Sequence, residues 1–286
     1  MLKPLCVMFI VMCLFSCNSL YRYRIVTQGE ELLRVKEKED TPKLEPKSEE
    51  ILLVQSKNYI DSFDLVNGAL RYTEYTPKKS SLHYNGKSIT ERKDLKNVKG
   101  DYLIAHDGED TILQLIDGKM KSLGIPAFQY SAISSLNDKL LFACKEEADS
   151  KWAIWIMNKD GSLPNYVCNG ENPSWINSEQ IVFNGLEDGR QAIKKIKLDG
   201  SQPVTVLKSD KHNYTRPDHH GHLIVYEKDA FQIEILDLKS NKRHNLSEKL
   251  SRDDLPTFST NGNFISFRSS RNGYWGIWKK PLKIFR

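Results

Sequence analysis

The chain has 286 residues, 39% of them hydrophobic and 28% charged, with 42 basic and 37 acidic side chains and a formal charge of +5. So even a balance, with lysines and arginines scattered among acids, provides no concentrated basic face and argues against a nucleic-acid partner.

The first predicted element is an apolar run from Leu5 to Phe15, preceded by Lys3 and closed by Leu14-Phe15-Ser16-Cys17. An apolar stretch of about 11 residues is roughly half the ~20 that a membrane-spanning helix needs, so export and cleavage explain it better than a transmembrane anchor. A small residue before a cysteine, with an aliphatic residue three positions upstream, resembles the lipobox of bacterial lipoproteins. That resemblance implies that residues 1–16 are a signal peptide and that Cys17 becomes the lipid-bearing (palmitate) first residue, anchoring the chain to a membrane. An ordinary secretory signal that contains a cysteine is the alternative. Asn18, rather than an aspartate, follows Cys17 and is compatible with an outer-membrane destination. Residues 1–16 contain one lysine and no acid, so the mature chain has 41 basic and 37 acidic residues and a charge of +4.

Residues 17–50 read as the lipidated cysteine and a flexible tether. From Asn18 to Glu50 the sequence is mostly polar and charged, and it buries too little apolar surface to offset its ordering entropy. A short helix over Glu30 to Lys38 is the alternative, since Leu32, Leu33 and Val35 form a small apolar group.

Residues 51–286 carry short β-type runs separated by turn residues, with no helix-length stripe. One kind of apolar run recurs six times, as Ile51-Leu52-Leu53-Val54, Tyr102-Leu103-Ile104-Ala105, Leu140-Leu141-Phe142, Ile181-Val182-Phe183, Leu223-Ile224-Val225-Tyr226 and Phe264-Ile265-Ser266-Phe267. From the second onward the spacing is about 40 residues, the period of a four-stranded propeller blade. The first gap is longer, and a small hairpin from Leu82 to Thr90 around Asn85-Gly86 is expected to take up the surplus, since Asn-Gly suits a type I′ turn. Pro173-Ser174-Trp175, Pro217-Asp218-His219 and Pro256-Thr257-Phe258 each precede a run, and Asp160-Gly161-Ser162 and Asp199-Gly200-Ser201 close two third strands.

The segment from Asn172-Pro173-Ser174-Trp175 to Leu198-Asp199-Gly200-Ser201 resembles one repeat of the TolB-like, WD-repeat-like propellers. Asp254 to Trp278 resembles another. The resemblance implies an all-β, six-bladed propeller of four-stranded antiparallel blades, closed by mixing strands from both ends of the chain. A segment near residues 43–54 is expected beside the C-terminal strands. In this fold Cys144 and Cys168 lie on two strands of one blade with a third between them, beyond the ~7 Å Cα reach of a disulfide, so two buried free thiols are expected.

Enzyme signatures such as Gly-x-Ser-x-Gly and His-Glu-x-x-His do not occur in this body, and blades of about 40 residues leave no room for a separate peptidase domain. His219, His220 and His222, with His212 upstream, are weak metal candidates. Neighbouring turn residues point in different directions, so solvated histidines and no metal are the expectation. No cofactor is expected. Trp152 and Trp155 correspond to Trp275 and Trp278 and read as packing between blades. Trp175, His219 and Phe258 fall at one position of the innermost strands. In TolB-like propellers partner segments engage the channel mouth, so these three are the binding candidates.

The functional expectation is a non-catalytic envelope scaffold that binds a protein or peptide. A propeller enzyme, either a lactonase-like hydrolase or a lyase, and a carbohydrate-binding protein are the alternatives. A metal or a group of His, Asp and Glu at the axis favours the enzyme, whereas an empty, polar or aromatic funnel favours binding.

Overall fold

The computed structural model describes residues 49–282, apart from positions 67, 93–94, 108, 117–118, 128 and 248–251. The expected signal peptide, Cys17, the candidate helix at Glu30 to Lys38 and nearly all of the tether lie outside the described residues.

The chain from residue 51 folds into six four-stranded antiparallel sheets. After β1 (Ile51–Ser56), the first blade contains β2 (Tyr59–Val66), β3 (Ala69–Tyr75), β4 (Ser80–Tyr84) and β5 (Lys87–Arg92). The second contains β6 (Leu95–Lys99), β7 (Tyr102–Asp107), β8 (Glu109–Ile116) and β9 (Lys119–Ala127), and the third β10 (Gln129–Leu136), β11 (Lys139–Lys145), β12 (Ala153–Asn158) and β13 (Asn165–Asn169). The fourth contains β14 (Glu171–Trp175), β15 (Gln180–Glu187), β16 (Arg190–Lys197) and β17 (Val204–Leu207), and the fifth β18 (Tyr214–His220), β19 (Leu223–Lys228), β20 (Gln232–Asp237) and β21 (Lys242–Asn245). The sixth contains β22 (Asp253–Phe258), β23 (Phe264–Ser269) and β24 (Trp275–Pro281), completed on the outside by β1.

Ring closure therefore uses both ends of the chain, with Ile51 opposite Lys279 and Ser56 opposite Trp275. This corrects one expectation. Ile51 to Val54 is the outer strand of the last blade, not the second strand of the first, and the Asn85-Gly86 hairpin joins the ordinary third and fourth strands of the first blade. The true second strand, β3, lacks a continuous apolar run because Thr73 faces Ser62, and their hydroxyls hydrogen-bond at 2.7 Å inside the fold. The hairpin itself has the expected chemistry, with positive φ at both Asn85 and Gly86.

Among the described residues six apolar clusters hold the ring, one at each junction between adjacent blades. Between the third and fourth blades Leu141, Ile154, Val167 and Phe183 interlock. Between the last and first, Ile60, Phe63, Tyr72 and Ile277 do the same. No single blade encloses a core, so each stabilises its neighbour by removing apolar area from water. Gly170 is required at one close approach, because a Cβ there would sit 2.4 Å from the Phe183 ring.

A buried ionic group fixes the closing strand. Glu50 binds Arg271, which also reaches Asp253 at 3.1 Å, while Lys280 lies 3.3 Å from Glu50 and donates to the Leu246 carbonyl. Cys144 and Cys168 are free and separated by β12. Cys144 is buried, but Cys168 is only half-buried because its outer strand has no further neighbour.

Candidate functional site

Every innermost strand contains a register shift near its start, and the residue there breaks the ladder at Asp61, Asn97, Ser131, Asn172, Arg216 and Leu255. Four of these, Asn97, Asn172, Arg216 and Leu255, adopt left-handed φ between 31° and 52°. Bulges of this kind bend a strand and re-aim a side chain. Pro173, Pro217 and Pro256 each follow such a residue, which accounts for the proline motif: a residue lacking an N–H fits where the ladder is interrupted.

Side chains then bind the interrupted backbone from blade to blade. Asp61 accepts the Asn97 N–H at 3.4 Å, Asp110 the Tyr130 N–H at 2.9 Å, Asn184 the Arg216 N–H at 3.2 Å and Glu227 the Leu255 N–H at 2.6 Å. At the last junction the polarity reverses. Arg268, 1% exposed, donates to the carbonyls of Ile60 and Asp61 and forms two bonds to Asp254.

These contacts lie at the end of the ring where second strands lead to third strands and each blade leads to the next, here termed the upper face. Asp61, Glu171 and Glu227 come from the first, fourth and fifth blades. Burial raises the pKa of each, and Arg216 opposes that rise in all three. Asp254 adds to the rise at Glu227, which is 3% exposed and has the Arg216 guanidinium at 3.5 Å. Carboxylates in this state are costly to ionise and are enriched at functional sites.

Deeper in the channel, Lys99 of the second blade lies 3.1 Å from Asp64 of the first and 3.5 Å from the Thr257 hydroxyl of the sixth. Burial disfavours its charge, but Asp64 and Asp218 outweigh this and raise its pKa. Asp218 accepts from the Ser174 and Thr257 hydroxyls at 2.5 and 2.9 Å and from the Phe258 N–H at 2.8 Å. Five blades thus meet in one polar junction across the axis.

The three binding candidates occupy equivalent register positions, Trp175 opposite Ile181, His219 opposite Ile224 and Phe258 opposite Ile265. They lie at the other, lower end of the innermost strands. Trp175 packs against the cluster between the third and fourth blades, and Phe258, 8% exposed, belongs to that between the fifth and sixth. His219 is half-buried, and burial lowers its pKa. His220 packs against Phe258 with centroids 5.9 Å apart and covers Gly262, whereas His222 points to Asp237 at 3.8 Å. Asp218, His219 and His220 belong to strand β18 rather than to the turn. Among the described residues no group of three His, Cys, Asp or Glu is placed to hold a metal ion. All five tryptophans are buried or half-buried.

Sequence reasoning missed the upper-face group, whose members lie far apart in the chain. Its available signal was the residue immediately before each motif proline, since Arg216 occupies the position held by Asn172 and Leu255 in the neighbouring blades.

The ring and its axial junction define a six-bladed β-propeller of the TolB-like architecture. Among solved structures the chain is similar to a putative TolB from Agrobacterium tumefaciens (16% identity, 70% of this chain and 75% of that one, TM-score 0.52) and to TolB from Acinetobacter baumannii (12%, 75% and 60%, 0.52). It is also similar to the β-propeller domain of the Trilobed protease from Pyrococcus furiosus (10%, 79% and 84%, 0.55) and to a chain of a nidogen/laminin complex (11%, 72% and 87%, 0.52). No protein-family model and no curated protein sequence matches the chain.

Proposed function

We propose that this chain is a non-catalytic propeller scaffold of the bacterial cell envelope, tethered through lipid on Cys17, that binds a protein or peptide partner at a channel mouth. The Arg216 guanidinium, 43% exposed at the upper face among side chains that other blades hold in place, carries this reading, because a charge fixed on a rigid ring discriminates partners by charge complementarity. The similar TolB structures support an envelope setting, and the nidogen/laminin complex is an instance of a similar chain within a protein assembly. Trp175, His219 and Phe258 remain the candidates for contact at the lower mouth, with His219 the most promising because it is neither in an interblade cluster nor fully covered. Half-buried tryptophans give no support to carbohydrate stacking.

A second reading, a channel hydrolase or lyase, is favoured by Asp61, Glu171 and Glu227 converging near Arg216 with raised pKa values. Binding takes precedence because Asp61 and Glu227 are already engaged by backbone N–H groups of the next blade, which is structural work. Cross-linking and affinity capture from intact envelopes, with the wild-type chain beside Cys17→Ala, tests the proposal. The expected result is a discrete partner whose recovery falls in Cys17→Ala. Recovery of no partner, together with turnover of a small substrate, overturns it.

A further inference from the structure

Near the rim of the upper face, aromatic rings and arginines alternate across three blades. Phe231 occupies the turn between β19 and β20, Arg252 immediately precedes β22, Trp275 begins β24 and Tyr59 begins β2. The Arg252 guanidinium carbon lies 4.8 Å from the Phe231 ring centre and 5.7 Å from that of Trp275. On its other side Trp275 meets Arg268 at 4.8 Å, and Arg268 also covers Tyr59 at 4.8 Å.

The two arginines differ in one respect. Arg268 is saturated, by Asp254, by the Tyr59 hydroxyl and by two backbone carbonyls. Arg252 is half-buried, its Nε is buried without an acceptor, and no carboxylate among the described residues lies within ion-pair distance of it. The nearby acids are committed, Asp253 to Arg271 and Asp254 to Arg268. Its backbone is held on both sides, since its carbonyl accepts the Ser270 N–H and the next N–H donates to the Phe231 carbonyl, each at 3.2 Å.

We infer that Arg252 is a receptor for a carboxylate of an acidic protein segment, with Phe231 and Trp275 holding its guanidinium ready for a two-pronged contact. A stacked arginine loses little freedom when it binds, its planar fork matches a carboxylate, and arginine beside tryptophan is the composition that dominates interface energetics. This deepens the proposed partner-binding reading and rests on it.

The test uses the purified full chain and a fluorescently labelled hexaglutamate peptide, with inorganic phosphate as a competitor and with Arg252→Gln, Arg252→Lys and Arg190→Gln variants of matched melting temperature. Expected are salt-sensitive binding by the wild type, at least tenfold weaker binding by Arg252→Gln, an intermediate loss in Arg252→Lys and less than twofold change in Arg190→Gln. A shift of one arginine Nε–H resonance on peptide addition, absent in Arg252→Gln, locates the contact. Equal binding by Arg252→Gln, an equal loss in Arg190→Gln, full displacement of the bound peptide by an equimolar amount of inorganic phosphate, or no peptide binding at all overturns the inference. Envelope capture with Arg252→Gln separates the two levels: a partner recovered at the wild-type amount removes the role of Arg252 and leaves the scaffold reading standing.

Discussion

Arg268, on the second strand of the last blade, donates to the backbone carbonyl of Ile60 in the first, so one side chain joins the two ends of the ring at its inner wall. At four of the other five junctions an acceptor side chain binds a backbone N–H of the next blade. Here a cation grips backbone oxygens instead, while its charge is answered by Asp254 within its own blade.

Replacing Arg268 by Met leaves Asp254 buried without its partner. Loss of one member of a buried ion pair costs about 3–5 kcal/mol, read by urea denaturation. Asp254→Asn combined with Arg268→Met is expected to cost less than the two single changes together. Strict additivity contradicts the pairing.

Glu50→Ala removes the carboxylate that Arg271 and Lys280 share across the closing strand. The expected loss is about 3 kcal/mol, with faster proteolytic cleavage around β1 than around any inner strand. Uniform protection of β1 in the variant would refute the role assigned to Glu50.

Glu227 gives a pH-dependent prediction. Its pKa is raised by burial and by Asp254, against the opposing Arg216. A carboxyl whose folded pKa exceeds its unfolded one contributes stability that is complete below the unfolded value and is lost as pH rises through the folded value. Gln keeps an acceptor for the Leu255 N–H without a charge to bury. Glu227→Gln is therefore more stable than wild type at pH 7, by a margin that shrinks as pH falls toward about 4. Unfolding midpoints measured from pH 4 to 8 check both the sign and the trend.

Burial pushes the thiols of Cys144 and Cys168 up to about 12. Thiolate is the reactive form, so alkylation at pH 8 is expected to be slower than for a free cysteine by about 1,000-fold, allowing full access. Mass spectrometry after iodoacetamide treatment, native and then unfolded, reads this directly. Rapid native labelling of Cys144 would contradict its placement.

The ring was legible in sequence wherever blade cores are purely apolar. Ile181-Val182-Phe183 and Leu223-Ile224-Val225-Tyr226 are buried on both faces and read as continuous runs, and Pro173, Pro217 and Pro256 mark their bulges. The first blade was misread because its junction carries Ser62 and Thr73, which satisfy each other but interrupt the hydrophobic signal. The upper-face group was illegible for another reason. Asp61, Glu171 and Glu227 share no local pattern and meet near Arg216 only when the circle is complete. Trp175 and Phe258 were placed correctly in register, but whether an inner-strand ring packs sideways or faces the axis depends on neighbouring blades that a linear pattern does not encode.

Glu50 and Lys280 are separated by 230 positions, and their contact helps seal the last sheet. During synthesis, five blades emerge before the stretch that completes the sixth, so the growing polypeptide keeps an open seam until β24 appears. Contacts this distant are slow to form. The ring thereby stays threadable while it is being made, and locks its shape only once β24 has met β1.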